Sequence, residues 1–154
     1  MAKKRIVKKA ARKARRVVAK KSPARRAAPA APKARPGLIT HTELVSGDSV
    51  ATRTWTERVL GWKFGETMQT PGGPYHLWRF ENNTGGGIRG TAPQEPTGAV
   101  PYCEVVDIQK AFKDALAAGA TAMLAPQAIA EGMGWIAIVS APGTVTVGFW
   151  SPGK

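Results

Sequence analysis

The sequence predicts an α+β domain of two βαβββ modules, which form a curved mixed sheet around a cleft and follow a disordered basic tail. Three observations carry this. The charge divides abruptly near Gly37, the stretch beyond it runs through one order of elements twice, and each helical stretch opens on an aspartate and closes on a glycine. At 154 residues the chain has room for one such domain. The tail is residues 1–37 and the domain residues 38–151, with modules over about 38–92 and 98–151.

Residues 1–36 hold fifteen Lys or Arg and no Asp or Glu, whereas the rest of the chain holds eight basic against ten acidic side chains. The net charge of +13 therefore belongs to the tail, and any affinity for a polyanion attaches there rather than to the domain. Residues 3–21 lack Pro and Gly, and Ile6, Ala10, Ala14, Val17 and Val18 recur at near-helical spacing. Repulsion between like charges melts such a helix in free solution, and a polyanion relieves that repulsion. Residues 22–37 set Pro23, Pro29, Pro32 and Pro36 among alanines, which suits an extended linker at roughly 3.1 Å per residue. The composition resembles the Lys/Ala/Pro-rich tails of linker histones and their bacterial counterparts. That resemblance implies non-specific nucleic-acid binding through Lys3, Lys4, Arg5, Lys8, Lys9, Arg12, Lys13, Arg15 and Arg16, steeply weakened by salt. A solubilising tail without a dedicated partner is the plainer alternative.

Composition also excludes several classes. One cysteine, Cys103, leaves no internal disulfide framework and no cysteine-built zinc site. No apolar run reaches the roughly 18 residues of a transmembrane segment, and the charged N-terminus lacks the apolar core of a secretory signal. A transit peptide fits poorly, because the tail is rich in lysine and carries Ser22 as its one hydroxyl residue. These features point to the cytoplasm, with nucleoid association if the tail meets DNA.

The elements follow in order. Leu38–Val45 alternates as a strand, Asp48 or Ser49 caps a helix to Leu60 with Trp55, Val59 and Leu60 on one face, and Gly61 closes it. Strands follow at Trp62–Met68, Tyr75–Phe80 and near Gly87–Gly90. The second module repeats the order: a strand over Val100–Val106, a helix from Asp107 to Ala118 ended by Gly119, and strands over Thr121–Pro126, Gly134–Ser140 and Thr144–Trp150.

Within that frame, His41-Thr42-Glu43-Leu44 with Asp48, the Leu60-Gly61-Trp62 junction, Gly85–Gly90 and the closing Ala141–Trp150 resemble the vicinal-oxygen-chelate superfamily of glyoxalases, bleomycin-resistance proteins and dioxygenases. They are most similar to a bacterial glyoxalase-like subfamily, over residues 38–151. The resemblance implies a divalent ion held by facing side chains of the first and last strands of each module. His41 falls on the first-strand position, Pro101 on its second-module counterpart and Gly148 on the last-strand position, while Gly85–Gly90 offers no carboxylate. One ligand position of four is retained, at His41, so no cofactor is expected. A metal site rebuilt from His41, Glu43 and Glu104 is the alternative, since Glu43 shares His41's face by the period of a strand.

The candidate catalytic residues are thus His41 as a lone base, with Glu43 or Glu104 to orient it. Trp78, Arg89, Tyr102 and Trp135 are the candidate ligand contacts, as a stacking wall and an anion contact. Gly85–Gly90 lacks the Lys-Ser/Thr of a phosphate loop, no nucleophile-elbow motif occurs, and Cys103 and His76 read as structural. The expected function is glyoxalase-like small-molecule binding in the cleft, without the usual metal, by a domain whose tail binds nucleic acid. Chemistry of the lyase or dioxygenase type remains open, and the lost ligand positions argue against lactoylglutathione lyase. The alternatives are a non-catalytic ligand-sequestering protein and a nucleoid-associated protein whose domain mainly dimerises. A homodimer fits all three.

Overall fold

The structure, a computed structural model, describes residues 35–130 and 132–153. The disordered-tail and nucleic-acid expectations for residues 1–34 lie outside the described residues. The domain runs β1 (Ile39–Ser46), α1 (Ser49–Leu60), β2 (Met68–Thr70), β3 (Gly73–Arg79), β4 (Gly85–Gly90), β5 (Gly98–Glu104), α2 (Ile108–Ala117), β6 (Thr121–Ala128), β7 (Trp135–Ala141) and β8 (Val145–Ser151). This is the twice-repeated βαβββ order.

All eight strands join one curved sheet in the order β2-β3-β4-β1-β5-β8-β7-β6, so each module is a mirror of the other's order about the antiparallel β1–β5 seam. Within each module the first strand runs parallel to the last, β1 with β4 and β5 with β8. The first and last strands of both modules therefore lie side by side at the middle of the sheet.

Local chemistry fixes the helices. Asp48 caps α1 by accepting from the Ala51 N–H at 2.9 Å, and Gly61 closes it in the left-handed region at φ 68°. Asp107 does the same for α2 through the Lys110 N–H at 2.9 Å, and Gly119 follows at φ 93°. The helix α2 is amphipathic and lays Ile108, fully buried, toward β6–β8, beneath which Ala137 and Val139 are buried. The other helix differs from expectation. Trp55, Val59 and Leu60 are exposed, at 56%, 56% and 48%, and α1 docks through Ser49 and Thr56 instead. Thr56 tolerates this because its hydroxyl donates back to the Arg53 carbonyl at 2.8 Å. Arg53 passes beneath the helix to Thr67 and over the Phe64 ring.

The second expected strand is also shorter than read. Residues 62–67 stay outside a ladder apart from the Phe64–Trp78 bridge, and pairing proper begins at Met68. Side chains hold this segment: Trp62 stacks on Trp78 with centroids 4.3 Å apart, and Phe64 meets Trp78 edge-on. The sheet thus has a helix-covered face and a helix-free face. On the latter, Val45, Val100 and Tyr102 form a buried cluster against Ile136, Ile138 and Trp150. No helix of the described residues is long and apolar enough to cross a membrane.

Candidate functional site

Strand alternation puts His41, Glu43 and Val45 of β1 on the helix-free face, with Tyr75 of β3, Arg89 of β4 and Tyr102 of β5 beside them. Their side chains form one chain of bonds. The Tyr75 hydroxyl donates to Glu43 Oε2 at 3.1 Å and lies 2.9 Å from His41 Nε2. Arg89 Nε donates to Glu43 Oε1 at 2.6 Å, while its Nη1 and Nη2 grip Glu95 Oε2 and Oε1 at 2.6 and 2.7 Å. Glu95 in turn accepts from the Ala92 N–H at 2.9 Å, which ties the β4–β5 loop into the site. The His41 ring also meets Tyr102 edge-on at 5.7 Å.

Proton counting assigns the tautomer. Tyr75 has one proton, and it goes to Glu43, so His41 Nε2 carries a hydrogen and donates to the Tyr75 oxygen. Nδ1 is then the lone-pair nitrogen, and no hydrogen bond engages it among the described residues. Burial lowers the His41 pKa from its ordinary value, the nearby Glu43 charge opposes that, and Arg79 adds to it. The imidazole is therefore neutral at neutral pH. Burial and the Glu43 charge push the Tyr75 hydroxyl up, so it stays a donor. Hydrogen bonding to Arg89 holds Glu95 below the ordinary carboxylate value.

The expected site residues divide. His41, Glu43, Arg89 and Tyr102 come together. Glu104 shares the face but is occupied: it accepts from the Arg35 backbone N–H at 2.9 Å and lies 3.4 Å from Arg35 Nε. Arg89, read as an anion contact, is held by two carboxylates and the Gly90 carbonyl, which leaves little of its fork for a ligand. Trp78 and Trp135 fall on the helix-covered face by alternation with Tyr75–Leu77 and Ile136–Ile138, so neither forms a wall beside Tyr102. Tyr75 takes that place. Its signal in the sequence was the glycine at 87, because a Cβ there would run into the Tyr75 ring. His76 also lies on the helix-covered face, bonded to Thr67 at 3.0 Å, in keeping with a structural residue.

The metal positions can be located by pairing. His41 pairs with Gly85, and its second-module counterpart is Tyr102, which pairs with Gly148. Pro101 is not that counterpart. A register shift between Ile39 and His41 and the two-residue period turn Tyr102 inward and Pro101 to the other face. Glu43 and Glu104 are consequently equivalent, each two residues past its module's first position, and each is bound by an arginine. The residues do not fit an octahedral divalent ion: two of four positions are glycine, and a Cβ at Gly148 would run into the Tyr102 ring. Among the described residues no three His, Cys, Asp or Glu side chains gather.

A pocket of about 410 Å³ opens beside His41 where β1 begins, β3 ends and β4 begins. Thr40, His41, Lys63, Phe64, Trp78 and Arg79 line it, together with Gly65, Leu77 and residues 83–86. Trp78 thus lines this pocket, although by strand alternation it lies on the helix-covered face. Its indole N–H is buried without a partner among the described residues.

No protein-family model matches this sequence, and no curated protein sequence matches it either. Solved structures do match its fold. A hypothetical protein from Bacillus halodurans C-125 superposes with a TM-score of 0.61 at 13% identity, over 76% of this chain and 95% of that one. Methylmalonyl-CoA epimerase from Mycobacterium tuberculosis gives 0.60 at 13%, over 77% and 89%. A variant of 4-hydroxymandelate synthase from Streptomyces coelicolor gives 0.59 at 19%, over 74% of this chain and 38% of that one. At these identities the likeness is one of fold alone.

Proposed function

We propose that this is a glyoxalase-like protein whose domain binds a small molecule in the pocket beside His41 without a divalent ion, and whose basic tail binds nucleic acid non-specifically. The observation that carries the reading is the Arg89–Glu43–Tyr75–His41 chain, which fixes a neutral imidazole by its Nε2–H and leaves Nδ1 free at a pocket. A nitrogen so held is a proton acceptor of fixed direction. His41 then takes a proton from an acidic C–H or O–H of the bound molecule. Tyr75 and Glu43 act by positioning, and the neighbouring Glu43 carboxylate stabilises the imidazolium that forms. Arg89 holds Glu43 in place through its Nε–H. Pocket volume suits this use, since small-molecule sites occupy roughly 300–1,000 Å³.

Calorimetric titration of the purified protein with Zn²⁺, Mn²⁺, Ni²⁺ and Co²⁺ tests the metal-free reading. No stoichiometric binding is expected, and what weak uptake occurs stays the same in His41→Gln. One metal per chain, lost in His41→Gln, would mean that a site is rebuilt around the histidine and would overturn the reading.

A further inference from the structure

Resting on the reading of this pocket as the ligand site, we infer that its ligand is an organic anion, whose charged group is held by Lys63 and Arg79 and whose apolar body lies against Phe64 and Trp78. The pocket's charge is one-sided. Lys63 and Arg79 both line it, no carboxylate does, and neither cation has an ion pair or side-chain hydrogen bond among the described residues. That contrasts with the rest of the site, where Arg35, Arg53 and Arg89 are each committed to a glutamate. Two cations without partners lining one concave space favour an anion there, because charge-assisted bonds to carboxylate or phosphate oxygens are roughly twice as strong as neutral ones.

The wall opposite supplies the other half of the molecule. Phe64 and Trp78 meet edge-on at 6.0 Å, and Trp78 is backed by Trp62, so the aromatic part of the lining is held in place by packing. His41, neutral and with Nδ1 unengaged, completes a rim of two cations, one acceptor and an aromatic wall. Burial is the main cause of the low His41 pKa, and Arg79 adds a smaller contribution that a bound anion screens.

Calorimetry on the full chain with 1-naphthoate, and with 1-naphthalenemethanol as its uncharged counterpart, tests this. The comparison is between the native protein, Lys63→Gln/Arg79→Gln, and Lys13→Gln/Arg16→Gln, which removes the same charge from the tail. The pocket variants replace exposed side chains and leave the sheet intact. Expected is one naphthoate per domain, bound at least tenfold more weakly by the pocket variant, unchanged in the tail variant, and preferred tenfold over the alcohol. Equal binding of naphthoate and the alcohol, both weakened by Trp78→Leu but neither by Lys63→Gln/Arg79→Gln, would overturn the anion assignment and leave the pocket reading standing. Binding of naphthoate lost only in the tail variant, or no saturable binding of either probe, would overturn both.

Discussion

His41 is a histidine that folding keeps uncharged, and that sets how the protein responds to acid. Its pKa lies below the ordinary 6.5, chiefly through burial, and His76 shifts in the same direction for the same first reason. Above that ordinary value both rings are neutral whether the chain is folded or not, and stability is full. As pH falls through it, the unfolded chain binds protons that the folded chain refuses, so stability drops. The urea midpoint is expected to fall between pH 7 and about 5.5, and to fall less in His41→Gln. An identical pH profile in that variant would mean the ring protonates freely in the fold. Beside it, Arg89 is the most connected side chain of the site. Arg89→Gln leaves Glu43 and Glu95 facing each other without their cation, with Glu43 only 8% exposed. A loss of about 2–3 kcal/mol is expected in denaturant titration. A loss under about 0.5 kcal/mol would show that water screens the pair.

At the scale of elements, what could be read in advance and what could not follow from the range of the forces. The helices and their ends were legible because Asp48, Asp107, Gly61 and Gly119 act within four residues of themselves. The repeated order was legible for the same reason. Register was not, because the shift between Ile39 and His41 is decided by pairing with β5, and it moved the second-module position from Pro101 to Tyr102. Nor was the choice of face in β3, where Tyr75 and Leu77 on one side are as apolar as His76 and Trp78 on the other. Hydrophobic alternation has no preference there, so it does not say which of Tyr75 and Trp78 shares the face of His41. The exposed side of α1 is a third case: Trp55 and Val59 carry the hydrophobicity, yet the helix docks by Ser49 and Thr56. The glycines were the usable signal. Gly87→Ala is expected to push the Tyr75 ring from its place, free His41 Nε2 and cost about 1–3 kcal/mol, whereas Gly90→Ala, where a Cβ meets nothing within 4 Å, is expected to be near neutral. Equal effects of the two on thermal stability would contradict the packing described.

At the scale of the molecule, the two modules carry one plan with different fillings: His41 and Glu43 with Arg89, against Tyr102 and Glu104 with Arg35. The second arginine sits where the domain meets the basic segment, and Glu104 also exchanges backbone bonds with Gly37 and Leu38. Truncation through residue 34 is therefore expected to leave stability unchanged. Truncation through residue 37 strips the buried Glu104 of its partners and is expected to cost about 1–3 kcal/mol in thermal or urea unfolding. Equal stability of the two would mean Glu104 relaxes to water. The central claim, a metal-free histidine held by Tyr75 and Glu43, has a direct test because the chain contains only two histidines. Long-range ¹H–¹⁵N spectra of the imidazoles at pH 7, recorded before and after addition of Zn²⁺ and Mn²⁺, report protonation, tautomer and coordination together. The account predicts a neutral His41 ring with hydrogen on Nε2, unmoved by either ion and altered in Tyr75→Phe. A protonated ring, the opposite tautomer, or stoichiometric movement on adding metal would contradict it.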